Sequence, residues 1–269
     1  MSGRILKGGL IGLSAIVLST VGIFASDTLR GIDGGIGNLA SIGDTGLCPK
    51  GMVVWEGSEQ SLCVDAYEVS TGESCPYRNP KNVIESEKNA STNGCYAASE
   101  GGVSPWTYIT LSQAQRVCAE SGKRLPTSDE WYRIALGTND ANCTIEASEP
   151  SKTGTEQCVS SIGTYDMVGN VWEWVDETVN GLAYRERSLP NEGYVDEADA
   201  SGVAIATNPD QSNELYGKDY FWSKSEGVFG MIRGGFYGSG GDAGLYTVNA
   251  SVPTNFATQG VGFRCVSAL

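Results

Sequence analysis

The chain has 269 residues, 40% of them hydrophobic and 36 of them glycine, with a formal net charge of −14. A surface this acidic repels phosphate backbones, so no nucleic-acid partner is expected. The sequence contains no histidine, which excludes Ser-His-Asp and Cys-His catalysis and the imidazole ligands of most catalytic metal sites. The glycine content predicts turns and irregular loops rather than long helices.

In chain order, Arg4 and Lys7 precede the apolar run GLIGLSAIVLSTVGIFA at residues 9–25. This is the layout of a secretory signal with Ala25 before the cleavage point. An uncleaved membrane anchor, or a leader cut near Lys7-Gly8, is the alternative. Each of these places the rest of the chain outside the cytoplasm, secreted or at a cell surface. Residues 26–47 are rich in Gly, Ser and Asp and read as a linker. Met52 to Trp55 and Leu62 to Tyr67 read as strands, and residues 70–102 as a long pinned loop. Thr110 with Gln113, and Thr127 with Glu130, are capping-box signatures. Each precedes a short helix with one apolar face, ended by Gly122 and Gly137 respectively. Residues 177–228 show no periodicity and read as an acidic insertion over a compact scaffold. Met231 to Tyr237 and Val261 to Val266 read as the last strands, separated by a loop of small and polar residues. The expected class is α+β: two short helices with a small antiparallel sheet, loop-rich.

Eight cysteines in an exported chain predict a disulfide framework. Spacing does not dictate the pairing. Local loops suggest Cys48 with Cys63, Cys75 with Cys95 and Cys143 with Cys158, leaving Cys118 with Cys265. There is no CxxC, which disfavours a zinc ribbon or a thioredoxin-like site.

Four stretches carry a resemblance. They are Asp65-Ala-Tyr-Glu-Val69, Gly122-Lys-Arg-Leu-Pro-Thr-Ser-Asp-Glu-Trp131, Tyr165-Asp-Met-Val-Gly-Asn-Val-Trp-Glu-Trp174, and Arg233-Gly-Gly235 followed by Gly262-Phe-Arg-Cys265. In this order they resemble the sulfatase-modifying-factor family, whose founding member is the formylglycine-generating enzyme, from Met52 to the C-terminus. The resemblance implies a variant of the C-type-lectin fold over residues 48–269, with paired N- and C-terminal strands and a bridge like Cys118–Cys265. It also implies a structural calcium held through Asn170 and Glu173 with neighbouring carbonyls. On elementary grounds Gly122, Gly169 and Gly262 suit turns, and Trp131, Trp172 and Trp174 suit the core. The family's copper-binding cysteine pair falls on Ser239 and Gly244 here. Neither can replace a soft thiolate for Cu(I), so the chain is expected not to be an enzyme and to require no cofactor.

The segment 236–258 (FYGSGGDAGLYTVNASVPTNFAT) lacks Lys, Arg, Glu, Gln, Met, Trp, Ile and Cys. Every residue in it can be encoded by a codon ending in a pyrimidine. This resembles the variable proteins of diversity-generating retroelements, in which a C-terminal stretch of such a domain is rewritten. The resemblance implies a receptor or adhesin with a hypervariable face that binds a protein or glycan on another cell or particle. The candidate contacts are Tyr237, Ser239, Asp242, Leu245, Tyr246, Asn249, Ser251, Asn255 and Phe256, with the three aromatics as anchors. The alternatives are an oxidoreductase of the formylglycine-generating type, which needs free thiols, and a structural cell-envelope domain.

Overall fold

A computed structural model describes residues 46–57 and 60–269. The expected leader at 1–25 and nearly all of the linker at 26–47 lie outside the described residues. The strands are β1 (Met52–Glu56), β2 (Ser61–Asp65), β3 (Val69–Thr71), β4 (Ala97–Ser99), β5 (Trp172–Asn180), β6 (Ala183–Tyr184), β7 (Arg187–Ser188), β8 (Gly193–Ala198), β9 (Ala204–Asn208), β10 (Tyr220–Trp222), β11 (Val228–Arg233), β12 (Val248–Val252), β13 (Val261–Phe263) and β14 (Val266–Ala268). The helices are α1 (Val83–Ala90), α2 (Leu111–Glu120) and α3 (Ser128–Ala135).

The class is α+β, and the first pair of strands meets the last strand as expected. β2 lies between β1 and β14, with Val64 opposite Val53 on one side and Val266 on the other. The larger sheet has nine strands in the order β7-β6-β5-β11-β12-β10-β8-β9, with β13 joining β5. The β13–β5 and β10–β12 pairs are parallel and the rest antiparallel. The sheet is therefore larger and more mixed than a small antiparallel one.

Both capping boxes form. Thr110 accepts from the Gln113 N–H and Thr127 from the Glu130 N–H, and each N3 side chain reaches back to its cap. Val117 and Cys118 of α2, and Trp131 and Ile134 of α3, are buried. A third helix corrects the expectation of two. α1 lies within the stretch read as a pinned loop, started by the Asn82 side chain accepting from the Glu85 N–H. Its buried residues are Ser86, Asn89 and Ala90, so it presents no apolar stripe for periodicity to detect.

The two C-terminal strand readings also change. β11 stops at Arg233 because Gly234 and Gly235 take φ of +88° and +85°. A Cβ on Gly234 would sit 2.5 Å from the Met167 carbonyl oxygen, so the double glycine is a required strand exit. The stretch from Val261 to Val266 divides into β13 and β14, which belong to different sheets. Arg264 and Cys265 mark the crossing. The loop between these regions contains β12, which occupies the middle of the larger sheet. Likewise, residues 177–228 do not lie over a scaffold; they supply β6 to β10 of that same sheet.

All eight cysteines are bridged: Cys48–Cys63, Cys75–Cys95, Cys118–Cys265 and Cys143–Cys158. The third joins α2 to the crossing between β13 and β14, over 147 residues of sequence. Two buried clusters make up the core. One runs through β1, β2, α3 and the inner side of β8, β10 and β12. The other gathers Trp106, Trp172, Trp174 and Phe263 around α2.

Candidate functional site

The motif residues build a buried polar frame. Arg264, 0% exposed, meets the Glu173 carboxylate with Nη2 at 2.6 Å and Nε at 2.8 Å. It also donates to the carbonyls of Asp65 and Tyr165. Trp131 Nε1 donates to Glu173 Oε2 at 2.7 Å. Asn170, at φ +52°, donates from Nδ2 to Glu68 Oε2 at 2.6 Å and accepts the Ser151 N–H on Oδ1. Burial, with the nearby charges of Asp166 and Glu173, holds the Glu68 carboxyl well above its ordinary range. Trp131, Trp172 and Trp174 are buried as expected.

This frame bears on the two residues that the resemblance assigns to calcium. Both oxygens of Glu173 serve Arg264, and one also takes the Trp131 N–H, so Glu173 is a counter-ion here rather than a cation ligand. Asn170 Oδ1 is likewise committed to a backbone N–H. The pair does not fit a cation in this arrangement, and among the described residues no group of three or more Cys, Asp or Glu is placed to hold one.

Arg233 is fully buried without a carboxylate partner. Its terminal nitrogens donate to the carbonyls of Ser128, Ser201, Gly202 and Leu245, and its guanidinium stacks 4.9 Å from the Trp131 ring. Burial lowers its pKa to about 10. The RGG motif thus anchors the loop at 245 to α3 and to the 201–202 turn.

The two positions aligned with the copper cysteines have other uses. Ser239 Oγ accepts the Phe236 N–H at 3.0 Å. A Cβ on Gly244 would fall 2.0 Å from Asp219 Oδ1, so the Asp219 carboxylate fills the space that a side chain would take.

The nine candidate contacts do not form one patch. Leu245 and Tyr246 pack against the first core cluster. The Tyr246 ring lies 5.0 Å from Tyr216 and 5.6 Å from Tyr132, and its hydroxyl accepts from that of Tyr132 at 3.3 Å. Burial raises the Tyr132 hydroxyl's pKa, and the bond to Tyr246 adds to this. Tyr237 and the turn after Ser239 are held by the 145–170 loops. The Tyr237 N–H donates to the Asn170 carbonyl, and its own carbonyl accepts the Ala147 N–H. Phe256 packs on the second core cluster, and Asn255 is exposed.

Asn249, Ser251 and Asp242 differ from these. In β12, Val248, Ala250 and Val252 are buried while Asn249 and Ser251 stand half-exposed on the other face. Asn249 lies beside Trp222 in parallel register, which puts both side chains on one face. Along that face runs a row of aromatic rings. Trp172 meets Trp222 at 5.7 Å, Trp222 meets Tyr220 at 4.6 Å, and Tyr220 meets Tyr194 at 5.1 Å. Tyr194, Tyr220 and Trp222 are all half-buried. The Tyr220 hydroxyl's pKa is raised by burial, then by the charges of Glu192 and Asp242 nearby. The face is thus aromatic along its length, polar beside it at Asn249 and Ser251, and acidic at its margins. The sequence reading missed Tyr194, Tyr220 and Trp222. The alternation Tyr220-Phe221-Trp222, with only Phe221 fully buried, is the period-two signal that could have found them.

Comparison with known proteins agrees with the motif resemblance. Residues 141–269 match the family described as sulfatase-modifying factor enzyme 1-like domain. Two curated relatives carry the name inactive C-alpha-formylglycine-generating enzyme 2. The Bos taurus protein is 26% identical over 42% of this chain and 48% of its own length. The Mus musculus protein is 24% identical over 42% of this chain and 47% of its own length. The chain spans about half the length of the curated relatives it matches. Among solved structures it is similar to the Major Tropism Determinant P3c variant, with a TM-score of 0.46 and 18% identity over 82% of this chain and 53% of that one. It is also similar to Treponema denticola variable protein 1, with a TM-score of 0.43 and 13% identity over 78% of this chain and 85% of that one. The family matched over residues 141–269 is the one that the four motifs resemble.

Proposed function

We propose that this chain is a non-catalytic receptor or adhesin. In this reading it is secreted or N-terminally anchored, and it uses the face made by β12, β10 and β8 to bind a protein or glycan on another cell or particle. The observation that carries the reading is the half-exposed row Trp222-Tyr220-Tyr194 beside Asn249, Ser251 and Asp242. Rigid aromatic surface next to short polar side chains is what adaptable binding surfaces use, since aromatics contribute area at little entropic cost. Two further facts support it. The bridging of all eight cysteines leaves no thiolate for copper, and the matched curated relatives are named inactive.

The segment 236–258 is the part proposed to be rewritten by a retroelement. Asn249, Ser251 and Asp242 bring it to the aromatic row, which lies outside it and would serve as the constant part of the face. Half-exposed positions on a disulfide-pinned sheet tolerate substitution at little cost in stability. Deep sequencing of the gene's 3′ end across a natural population tests this. Substitutions should concentrate at the adenines of codons 236–258 while Arg233–Gly235 and Gly262–Cys265 stay unchanged. Sparse, even variation along the whole gene would overturn the hypervariable reading.

Binding itself is tested with protein-fragment and glycan arrays probed with the purified chain. Trp222→Ala should weaken a captured ligand by about 30-fold or more, as loss of a central aromatic anchor does. Ile84→Ala, on the exposed side of α1, should leave it unchanged. Capture that Trp222→Ala, Tyr220→Ala and Asn249→Ala all leave intact would remove this face from consideration.

A further inference from the structure

The row Trp222-Tyr220-Tyr194 has an acidic border that pairs with no cation of the chain. Tyr220 lies opposite Tyr194 and Phe221 opposite Gly193. One further step of this antiparallel register sets Glu192 beside Trp222 and on the same face. The two segments stay together there, since Ser223 Oγ donates to the Pro190 carbonyl at 2.8 Å. Trp222 is thus flanked by Glu192 on one side and by Asn249 on the other. Asp242, half-buried, adds the second carboxylate. After burial, the charges that raise the Tyr220 hydroxyl's pKa include those of Glu192 and Asp242, so both act near the middle of the row. Among the described residues neither carboxylate takes part in an ion pair or a side-chain hydrogen bond. The lysines that flank β10 are engaged elsewhere: Lys218 pairs with Glu214 at 2.9 Å, and Lys224 lies 5.7 Å from the Phe229 ring. Among the described residues the rings that carry a cation are Tyr184, Phe229, Trp131 and Tyr132, none of which belongs to the row.

An aromatic ring attracts a cation to its face through its quadrupole, and unpaired carboxylates at its edge attract the same group. We infer that the face takes a Lys- or Arg-bearing surface segment of a protein partner, with one ammonium or guanidinium set over Trp222 or Tyr220 between Glu192 and Asp242. The inference rests on the reading of this face as the binding face, and it decides between the two ligand classes left open there. A neutral glycan would cover both carboxylates and offer them only hydroxyls, which leaves two charges under cover without a countercharge. An acidic glycan would meet like charge, here and from a chain of net charge −14. A basic segment suits the rings and the carboxylates together, and the overall charge steers it in. Glu192, Tyr220 and Trp222 lie outside the segment 236–258. The preference for a cation would therefore persist while Asp242, Asn249 and Ser251 change around it.

Binding of the full chain to two immobilised peptides tests the inference. One repeats Ser-Gly-Arg, and the other carries citrulline in place of each Arg, which keeps the shape and removes the charge. The Arg peptide should bind about 10-fold or more tightly than its citrulline counterpart, with the difference shrinking as salt rises. Trp222→Ala should remove most of that difference, and so should Glu192→Gln combined with Asp242→Asn. Glu87→Gln combined with Glu120→Gln, which removes two exposed charges from α1 and α2, should leave it unchanged. The inference is overturned if both peptides bind equally or neither binds. It is also overturned if the α1 and α2 variant loses as much as the face variants, because the acidic surface as a whole is then the attractant. Failure of the binding reading itself looks different. If the arrays yield a ligand without Lys or Arg whose capture Trp222→Ala abolishes, the face binds and only the cation is wrong. If capture survives Trp222→Ala, Tyr220→Ala and Asn249→Ala, the face is wrong and the inference falls with it.

Discussion

Arg264→Met should destabilise the fold by about 3–5 kcal/mol, the usual consequence of removing one member of a buried ion pair. The side-chain volume is nearly kept, so the loss comes from leaving the Glu173 carboxylate enclosed and unpaired. Arg264 also serves the carbonyls of Asp65 and Tyr165, which would lose their donor. Guanidinium unfolding measures the change as a lower midpoint at unchanged slope. The double variant Glu173→Leu with Arg264→Met separates the charge from the frame. Removing both charges should recover part of the loss but not all of it, because the Trp131 N–H and two carbonyls remain unpartnered. Full recovery would show that the pair acts only through its charge. A single-variant loss below about 1 kcal/mol, the level of an exposed ion pair, would show that the site is wet and the burial wrong.

Removing the Cys118–Cys265 bridge by Ala substitution at both positions should cost about 4–5 kcal/mol. In the chain-entropy account the penalty grows with the closed loop, and this loop spans 147 residues. Removing Cys48–Cys63 or Cys143–Cys158, each closing 15 residues, should cost about 3 kcal/mol. The order of the midpoints is therefore the measurement. Cys118–Cys265 lying first is the expected result. An equal or larger loss from a short bridge would mean that local strain or residual denatured-state structure, not loop length, sets the effect.

Much of this fold is legible along the chain because its cues are local. Thr110 with Gln113 and Thr127 with Glu130 start helices by bonds that span three residues, so four letters are enough to place them. Cys48–Cys63, Cys75–Cys95 and Cys143–Cys158 are short loops, and the remaining pair follows. α1 escaped detection because its cap is a single Asn82 and its buried face is polar. β12 escaped because a strand with Ala and Ser among its five residues reads as loop until the strands on either side of it are known.

The composition and the motifs determined the class of the chain, its even set of bridge-forming cysteines, its lack of imidazole chemistry and the family its C-terminal half matches. Each of these depends on residue identity or short spacing alone. Only the tertiary structure decided what the individual side chains do. Glu173 became a counter-ion rather than a calcium ligand because Arg264, 91 residues away, reaches it. Residues 177–228 became the centre of the candidate face because Trp222 and Asn249 are register neighbours across a parallel pair of strands. Such contacts are long-range pairings made by the sheet order and the burial of the two cores, and no local pattern encodes them.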